Sequence, residues 1–305
     1  MPGTHQYTGM RTVEAPTRED VHAAEQRIRP LLPPTPLVAS DGFALKLETF
    51  QPTGSFKVRG ALSALTLLDE PVICASAGNH GLAVAWAARQ LGLDATIVVA
   101  ETASPAKIEG IRRFPATLIV HGADYDEAER HALSLGGRYV SPYNDRDVIA
   151  GAGTVALELP DAETIVVPIG GGGLAAGIGL ATEARVVGVV PEACPAMQAA
   201  VRGVPEVDVL PTIADGLSGN IEPGSVTIEL CARHVDEIVA VSEAELAGAM
   251  RFLAREHGLV AEGAGAAAVA AIRSGLAPPG VAIVSGRNVT PATLTKALRA
   301  PAAAR

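Results

Sequence analysis

Gln51-Pro52-Thr53-Gly54-Ser55-Phe56-Lys57-Val58-Arg59-Gly60-Ala61 is the stretch around which this chain is organised. Pro52 and Gly54 punctuate a loop, Ser55 is a favourable helix N-cap, and the apolar residues from Ala61 to Leu68 follow helical spacing. Lys57 is therefore expected in a first helical turn. The positive end of the helix dipole disfavours an ammonium there, and a dry site lowers its pKa further, toward the neutral amine that Schiff-base chemistry requires. Most lysines are solvated surface charges, so a catalytic role for Lys57 depends on the loops that accompany it.

Working outward, residues 43–48 read as a short strand that delivers the chain into the lysine loop. Residues 72–75 form a strand ending in Ser76-Ala77-Gly78-Asn79-His80-Gly81, followed by a helix over 82–91 that Gly92 closes. The pattern repeats with a strand at 95–100, a helix capped by Ser104 and Pro105, a strand at 116–120, a helix over 124–135 and a short strand at 138–141. A second series begins with a Gly-rich helix over 149–159. A strand at 164–169 then runs into Gly170-Gly171-Gly172-Gly173, and a helix over 174–182 and a strand at 185–190 follow. Residues 191–220 show no clear period. Ser242 and Glu245 cap a helix whose Leu246, Ala249, Met250 and Leu253 share one face, and an Ala-rich helix precedes a buried strand at 281–284 running into Ser285-Gly286-Arg287-Asn288. At the other end, Thr17 and Asp20 form a capping box for a helix over 18–31, and residues 1–16 read as a loose arm.

Strands alternating with helices define an α/β chain of parallel sheets covered on both faces, whose ligands bind at the carboxyl ends of strands. Four polar or glycine-rich loops fall at those ends: the lysine loop, Ser76 to Gly81, Gly170 to Gly173, and Ser285 to Asn288. Glycines opening a helix expose backbone N–H groups to an anion, so a phosphate is the natural guest of Gly170 to Gly173, with a flexible turn as the bland alternative. Residues 171–176 also satisfy G-x-G-x-x-A, with Glu192 about 20 residues further on. A nicotinamide-dependent oxidoreductase would use those features but leave the other loops without a role.

Composition narrows the classes further. With 305 residues, 48% hydrophobic, the chain can build one large or two ordinary domains. A net charge of -9 with 24 scattered Lys and Arg argues against a nucleic-acid partner. Residues 1–10 lack the apolar core of a signal peptide, and no uncharged apolar run is long enough to span a membrane. Cys74, Cys194 and Cys231 are widely spaced, which disfavours disulfides and zinc and suits a soluble protein of the cytoplasm.

Together the loops closely resemble fold-type II pyridoxal-phosphate enzymes, and among them the threonine/serine dehydratase (ammonia-lyase) and serine racemase family. The resemblance covers most of the chain. It is carried by Pro34-Thr35-Pro36-Leu37, Lys46-Leu47-Glu48, residues 53–61, Ser76 to His80, Pro168 to Gly173, Ile213-Ala214-Asp215-Gly216 and Ser285 to Asn288. Threonine synthase and cysteine synthase relatives carry an aspartate after the lysine and a threonine after the loop asparagine, so Val58 and His80 point to the ammonia-lyase side.

The resemblance implies two parallel-sheet domains, a large one (1–69 and 145–305) and a small inserted one (70–144), with pyridoxal 5'-phosphate in the cleft between them and a homodimer as the assembly. Lys57 would hold the cofactor and, released by the substrate amine, take the Cα proton. Phe56 would pack beside the pyridine ring, Asn79 would meet the ring hydroxyl, Gly170, Gly171, Gly172 and Gly173 would hold the phosphate, and Ser285 would face the ring nitrogen. Ser76, Ala77, Gly78, Asn79 and His80 would receive the substrate carboxylate. A serine hydroxyl can donate to the ring nitrogen but not protonate it, which leaves a restrained electron sink and favours expulsion of a β-substituent. The implied reaction is β-elimination from L-threonine or L-serine to a 2-oxo acid and ammonia.

Glu262 matches a position near the cofactor, although a surface carboxylate at a helix start reads equally well. Ala77 stands where serine racemases have a second serine, so racemisation should be slow. Val190 stands where relatives often have a metal-binding glutamate, so no metal is expected. The chain ends at Arg305, which leaves no room for a C-terminal regulatory domain. Arg287 is a further cation, either meeting a second carboxylate, as in 3-hydroxyaspartate, or salt-bridged to the scaffold, the latter preferred. The alternatives are an amino-acid racemase or 3-hydroxyaspartate dehydratase of the same family, the oxidoreductase above, and a small-anion sensor that has lost catalysis.

Overall fold

In the computed structural model, which describes residues 12–159 and 161–299, the chain begins with α1 (Arg18–Ile28). Most of the expected N-terminal arm lies outside the described residues. The capping box is present: the Asp20 amide donates to Thr17 Oγ1 at 3.3 Å, and the Thr17 amide donates to the Asp20 carboxylate at 2.7 Å. Next come β1 (Leu37–Ala39), β2 (Ala44–Leu47), α2 (Lys57–Leu65), β3 (Val72–Ala75), α3 (Asn79–Leu91), β4 (Ala95–Val99), α4 (Pro105–Arg112), β5 (Thr117–Val120), α5 (Tyr125–Ser134) and β6 (Arg138–Tyr139). The second series holds α6 (Arg146–Gly153), β7 (Thr164–Pro168), α7 (Gly173–Ala181), β8 (Arg185–Pro191) and α8 (Ala196–Ala200). It closes with α9 (Val226–His234), β9 (Glu237–Val241), α10 (Glu243–His257), α11 (Gly263–Arg273), β10 (Val281–Val284) and α12 (Pro291–Arg299).

The strands form two sheets, one ordered β1-β2-β10-β7-β8-β9 and the other β5-β4-β3-β6. Every pairing is parallel except β1 with β2, which runs antiparallel at the edge. In the smaller sheet, Cys74 and Ile97 pack under Val58, Leu62 and Leu65 of α2 and Val84 and Ala88 of α3, while Ala128 and Ala132 of α5 cover Ile73 and Val98 on the other face. In the larger sheet, α10 and the alanines of α11 cover Leu45, Leu47, Val166, Val187 and Val189, while α6, α7 and α9 cover Ile165, Val167 and Ile283. Helix α2 thus belongs to the core of the smaller sheet while its first residue opens from a loop tied to the larger one.

Several expectations need correction. Ser55 does not cap α2: Phe56 occupies the N-cap position, without a side-chain cap, and Ser55 instead forms an antiparallel bridge with Gly286. Main-chain pairing between two loops takes the residue that local propensity assigns to the cap. The helix expected over 149–159 starts at Arg146, because Asp145 accepts from the Asp147 and Val148 amides, and it ends at Gly153 before a 3-10 turn at Ala156–Glu158. Strands β1 and β9 and helices α9 and α12 carry weak local signals. For α9 a usable signal existed in Ser225, whose hydroxyl accepts from the Thr227 amide. Among the described residues no helix is long and apolar enough to cross a membrane, and the three cysteines are buried and free.

Candidate active site

The lysine loop is fastened to the serine loop by main-chain bonds. The Phe56 amide donates to Ser285 O at 3.0 Å, and the Arg287 amide donates to Gly54 O at 2.9 Å. Gly54 has φ +76°, and a Cβ there would lie 2.6 Å from Asn288 Oδ1, so this corner requires glycine. These bonds hold the residue before Lys57 to Ser285, which is 3% exposed. Lys57 Nζ donates to Pro142 O at 2.7 Å and lies 5.2 Å from the centroid of the Phe56 ring. Burial lowers the lysine pKa to about 8, against the charge of Glu262, which favours the ammonium.

At the carboxyl end of β3, Ser76 Oγ accepts from the Gly78 amide at 3.1 Å, and the chain turns into α3 at Asn79. The first-turn amides of such a helix have no intrahelical acceptor and suit a carboxylate. His80 is buried with Nε2 2.9 Å from Val140 O. A carbonyl only accepts, so Nε2 carries the hydrogen and Nδ1, buried without a partner, is an acceptor. Burial, with the nearby Lys57 charge, lowers the His80 pKa to about 3 and keeps the ring neutral. Asn79 Nδ2 donates to Glu262 Oε1 at 2.7 Å, and Asn288 Nδ2 donates to Asn79 Oδ1 at 2.6 Å. Glu262, the N-cap of α11, is buried, which raises its pKa to about 7 against the opposing Asn79 bond.

At the carboxyl end of β7 the glycine run enters α7 through Gly172, whose φ is +89°. Thr227 Oγ1 donates to Gly171 O at 2.7 Å and fixes the turn from below. A Cβ on Gly171 would lie 2.3 Å from the Tyr143 ring. Gly171→Ala is therefore expected to push Tyr143 or the turn aside. It should cost about 1–3 kcal/mol of stability and lower phosphate affinity more than tenfold, as thermal unfolding and a phosphate-competition titration would show. Unchanged affinity would argue against the glycine run as a phosphate cradle.

One cavity of about 640 Å³ is lined by Phe56, Lys57, Ser76, Ala77, Gly78, Asn79, His80, Gly170, Gly171, Gly172, Gly173 and Ser285. The residues that the resemblance assigns to cofactor and substrate are all brought together there. Glu262 also lines the cavity, in place of the surface position that its sequence context allowed. Glu192 does not line it, and Val190 is buried in the core beside β9. Arg287 corrects the expected salt bridge: its guanidinium donates to the backbone carbonyl of Thr49. The sequence did not single out Tyr143 or Lys107. Lys107 Nζ and Asp215 Oδ2 meet at 2.6 Å across the cavity wall, 108 positions apart in sequence.

A lysine amine of lowered pKa, a glycine turn with no room for side chains and a buried serine line one cavity of an α/β fold whose strands are parallel but for one edge, the fold of the type II pyridoxal-phosphate enzymes. Residues 28–286 match the family model described as pyridoxal-phosphate dependent enzyme, and the chain belongs to that family. It is 42% identical over 304 residues to the L-threonine ammonia-lyase of Thermotoga maritima, covering 90% of this chain and 76% of that one. It is 39% identical to the catabolic L-threonine dehydratase TdcB of Staphylococcus aureus, covering 88% of each. Among solved structures it is similar to a threonine deaminase of T.th. (TM-score 0.81, 33% identity, 90% of this chain and 99% of that one). A pyridoxal 5'-phosphate-dependent aspartate racemase is also similar (TM-score 0.83, 30% identity, 93% and 99%). Family membership sets aside the nicotinamide reading of the glycine run.

Proposed function

We propose that this enzyme removes water from a β-hydroxy amino acid, L-threonine or L-serine, and releases a 2-oxo acid and ammonia. The observation that carries this reading is the convergence of Lys57, the loop from Ser76 to His80, the glycine run and Ser285 on one cavity. Pyridoxal phosphate supplies an electrophilic aldehyde and a conjugated ring that accepts the electron pair released when Cα loses its proton. Gly170 to Gly173 would hold the phosphate, Phe56 would pack beside the ring, and Ser285 Oγ would donate to the ring nitrogen. Asn79 Nδ2 keeps one hydrogen for the ring oxygen beyond the one given to Glu262. The amides at the start of α3 hold the substrate carboxylate. Lys57 Nζ, whose pKa burial lowers to about 8, would take the Cα proton and would then be the protonated group beside the departing hydroxyl.

Ala77 favours elimination over racemisation, because at that point of the cavity wall it offers neither acid nor base. The reading extends to two domains, a smaller one over residues 70–144 on whose sheet α2 also packs and a larger one from the rest, and to a cytoplasmic homodimer. Buried free thiols suit a reducing compartment. Exposed Leu37 and Val38 on edge strand β1, with Phe50 nearby in sequence, suit an interface.

The test is release of 2-oxo acid and ammonia from each hydroxy amino acid by the reconstituted enzyme, with interconversion of L and D forms followed in parallel. Interconversion without 2-oxo acid would replace the lyase by a racemase. The pH dependence offers a second check. An amine with a pKa of about 8 loses its proton as pH rises, so the rate at which the apoprotein combines with pyridoxal phosphate should climb through about pH 8 and level off above it. A profile that keeps climbing toward the ordinary lysine value would mean that Lys57 is not desolvated.

A further inference from the structure

We propose that Asn288 is a positioning residue: it sets the polarity of the Asn79 amide, so that Asn79 presents a donor, and never an acceptor, to the ring oxygen of the cofactor. The inference rests on the assignment of Asn79 to that oxygen. Its anchor is a backbone carbonyl. Asn288 Nδ2 lies 2.8 Å from Thr53 O, which can only accept, so the nitrogen end of the Asn288 amide is fixed on that side. The same nitrogen lies 2.6 Å from Asn79, and two donors cannot meet at that distance, so the Asn79 atom facing it is Oδ1. The Asn79 nitrogen must then point the other way, where Glu262 Oε1 accepts one hydrogen at 2.7 Å. Its second hydrogen remains for the cavity.

An isolated asparagine can turn its amide over, exchanging donor for acceptor with almost no change of shape. Here the direction is fixed from Thr53 through Asn288 to Asn79, with the Glu262 carboxylate accepting on the far side, and Gly54 clears the space that Asn288 occupies. A ring oxygen that receives a hydrogen bond is favoured as the anion, whereas one facing an acceptor must keep its own proton. Asn288 thereby acts on the cofactor through another residue.

Apoproteins of the wild type, Asn79→Ala, Asn288→Asp and Asn288→Ala would be titrated spectroscopically with pyridoxal 5'-phosphate and with its 3-deoxy analogue, which lacks the ring oxygen. The wild type is expected to prefer the natural cofactor by about tenfold or more, as suits one hydrogen bond to a charged oxygen. Asn79→Ala should remove that preference. Asn288→Asp cannot donate and sets a carboxylate against Asn79 Oδ1, so the Asn79 nitrogen is contested between residue 288 and Glu262, and the preference should fall to within about threefold while the analogue binds nearly as before. If the aspartate variant does not fold, Asn288→Ala decides, because it leaves the Asn79 amide held by Glu262 alone and should lower the preference at least about threefold. An unchanged preference in the Asn288 variants, or equal weakening of both ligands, overturns the proposal. A wild type that does not distinguish the ligands overturns instead the assignment of Asn79 to the ring oxygen, and the proposal with it.

Discussion

Replacing Lys57 by alanine is expected to lower 2-oxo acid formation from L-threonine at least about a thousandfold and to remove the visible absorption band that the wild type forms with pyridoxal phosphate. The loss is large because one nitrogen both holds the cofactor and carries the proton from Cα. Lys57→Arg is the sharper control. A guanidinium keeps the charge, but it neither deprotonates in this pH range nor combines with an aldehyde as an amine does. It should be as inactive as the alanine variant, with folding little changed, since a guanidinium can still donate to Pro142 O as Nζ does. Retention of more than about a tenth of the turnover in either variant would remove Lys57 from the mechanism.

The largest expected effect on stability lies two residues further along the same helix. Arg59 is fully buried, and its fork grips two carboxylates: Nε and Nη2 donate to Glu48 at 2.7 and 2.8 Å, and Nη1 and Nη2 donate to Glu158 at 2.9 and 3.0 Å. Thr35 Oγ1 and Gln51 Nε2 also donate to Glu48, and Lys46 Nζ and the half-buried Arg29 donate to Glu158, so Arg59 is the one cation that pairs with the buried Glu48 among the described residues. Arg59→Leu leaves the fully buried Glu48 carboxylate without a cation. It is expected to cost about 3–5 kcal/mol, or roughly 6–15 °C in Tm at a few degrees per kcal/mol. A shift under about 1 kcal/mol in denaturant titration would show that water or protonation relieves the carboxylates. Because the cluster joins the start of α2 to the 3-10 turn Glu48–Phe50 and the turn Ala156–Glu158, the variant should also loosen Lys57.

Acid titrates the same cluster. Burial alone would raise the Glu158 pKa, but the hydrogen bond and charge of Arg59, followed by those of Lys46, outweigh it and hold the group at about 2. A carboxyl depressed from an unfolded value of about 4.3 adds stability that is complete above that value. The contribution is lost as pH falls toward about 2, so unfolding on acidification should steepen in that window and flatten in Glu158→Gln.

What could be read from the chain alone was whatever depends on neighbouring residues. The capping boxes at Thr17 and Ser242, the left-handed glycine closures at Gly92 and Gly258, and Ser104 with Pro105 at the start of α4 are local hydrogen-bond and φ requirements, and each sits where its pattern places it. The strand Val281–Val284 was legible for a related reason, since a short β-branched run bounded by turn signals has few other uses. Strand β1 was not legible, because exposed Leu37 to Ala39 become a strand only through the register Leu37 to Lys46, Val38 to Leu45 and Ala39 to Ala44. Ser55 failed as a cap for the same reason, its backbone being claimed by Gly286.

The amino-acid sequence by itself determined the alternation of elements, the four loops at the strand ends and the residue types in them, because turn chemistry, helix capping and hydrophobic period act over a few residues. Tertiary structure alone decided which groups touch. It joined Lys107 to Asp215, turned Arg287 onto Thr49, buried Glu262 beside Asn79, and aligned Thr53, Asn288 and Asn79 into one chain of hydrogen bonds. Hydrogen bonds depend on distance and direction in space, and the packing of two sheets brings together groups that no local pattern relates.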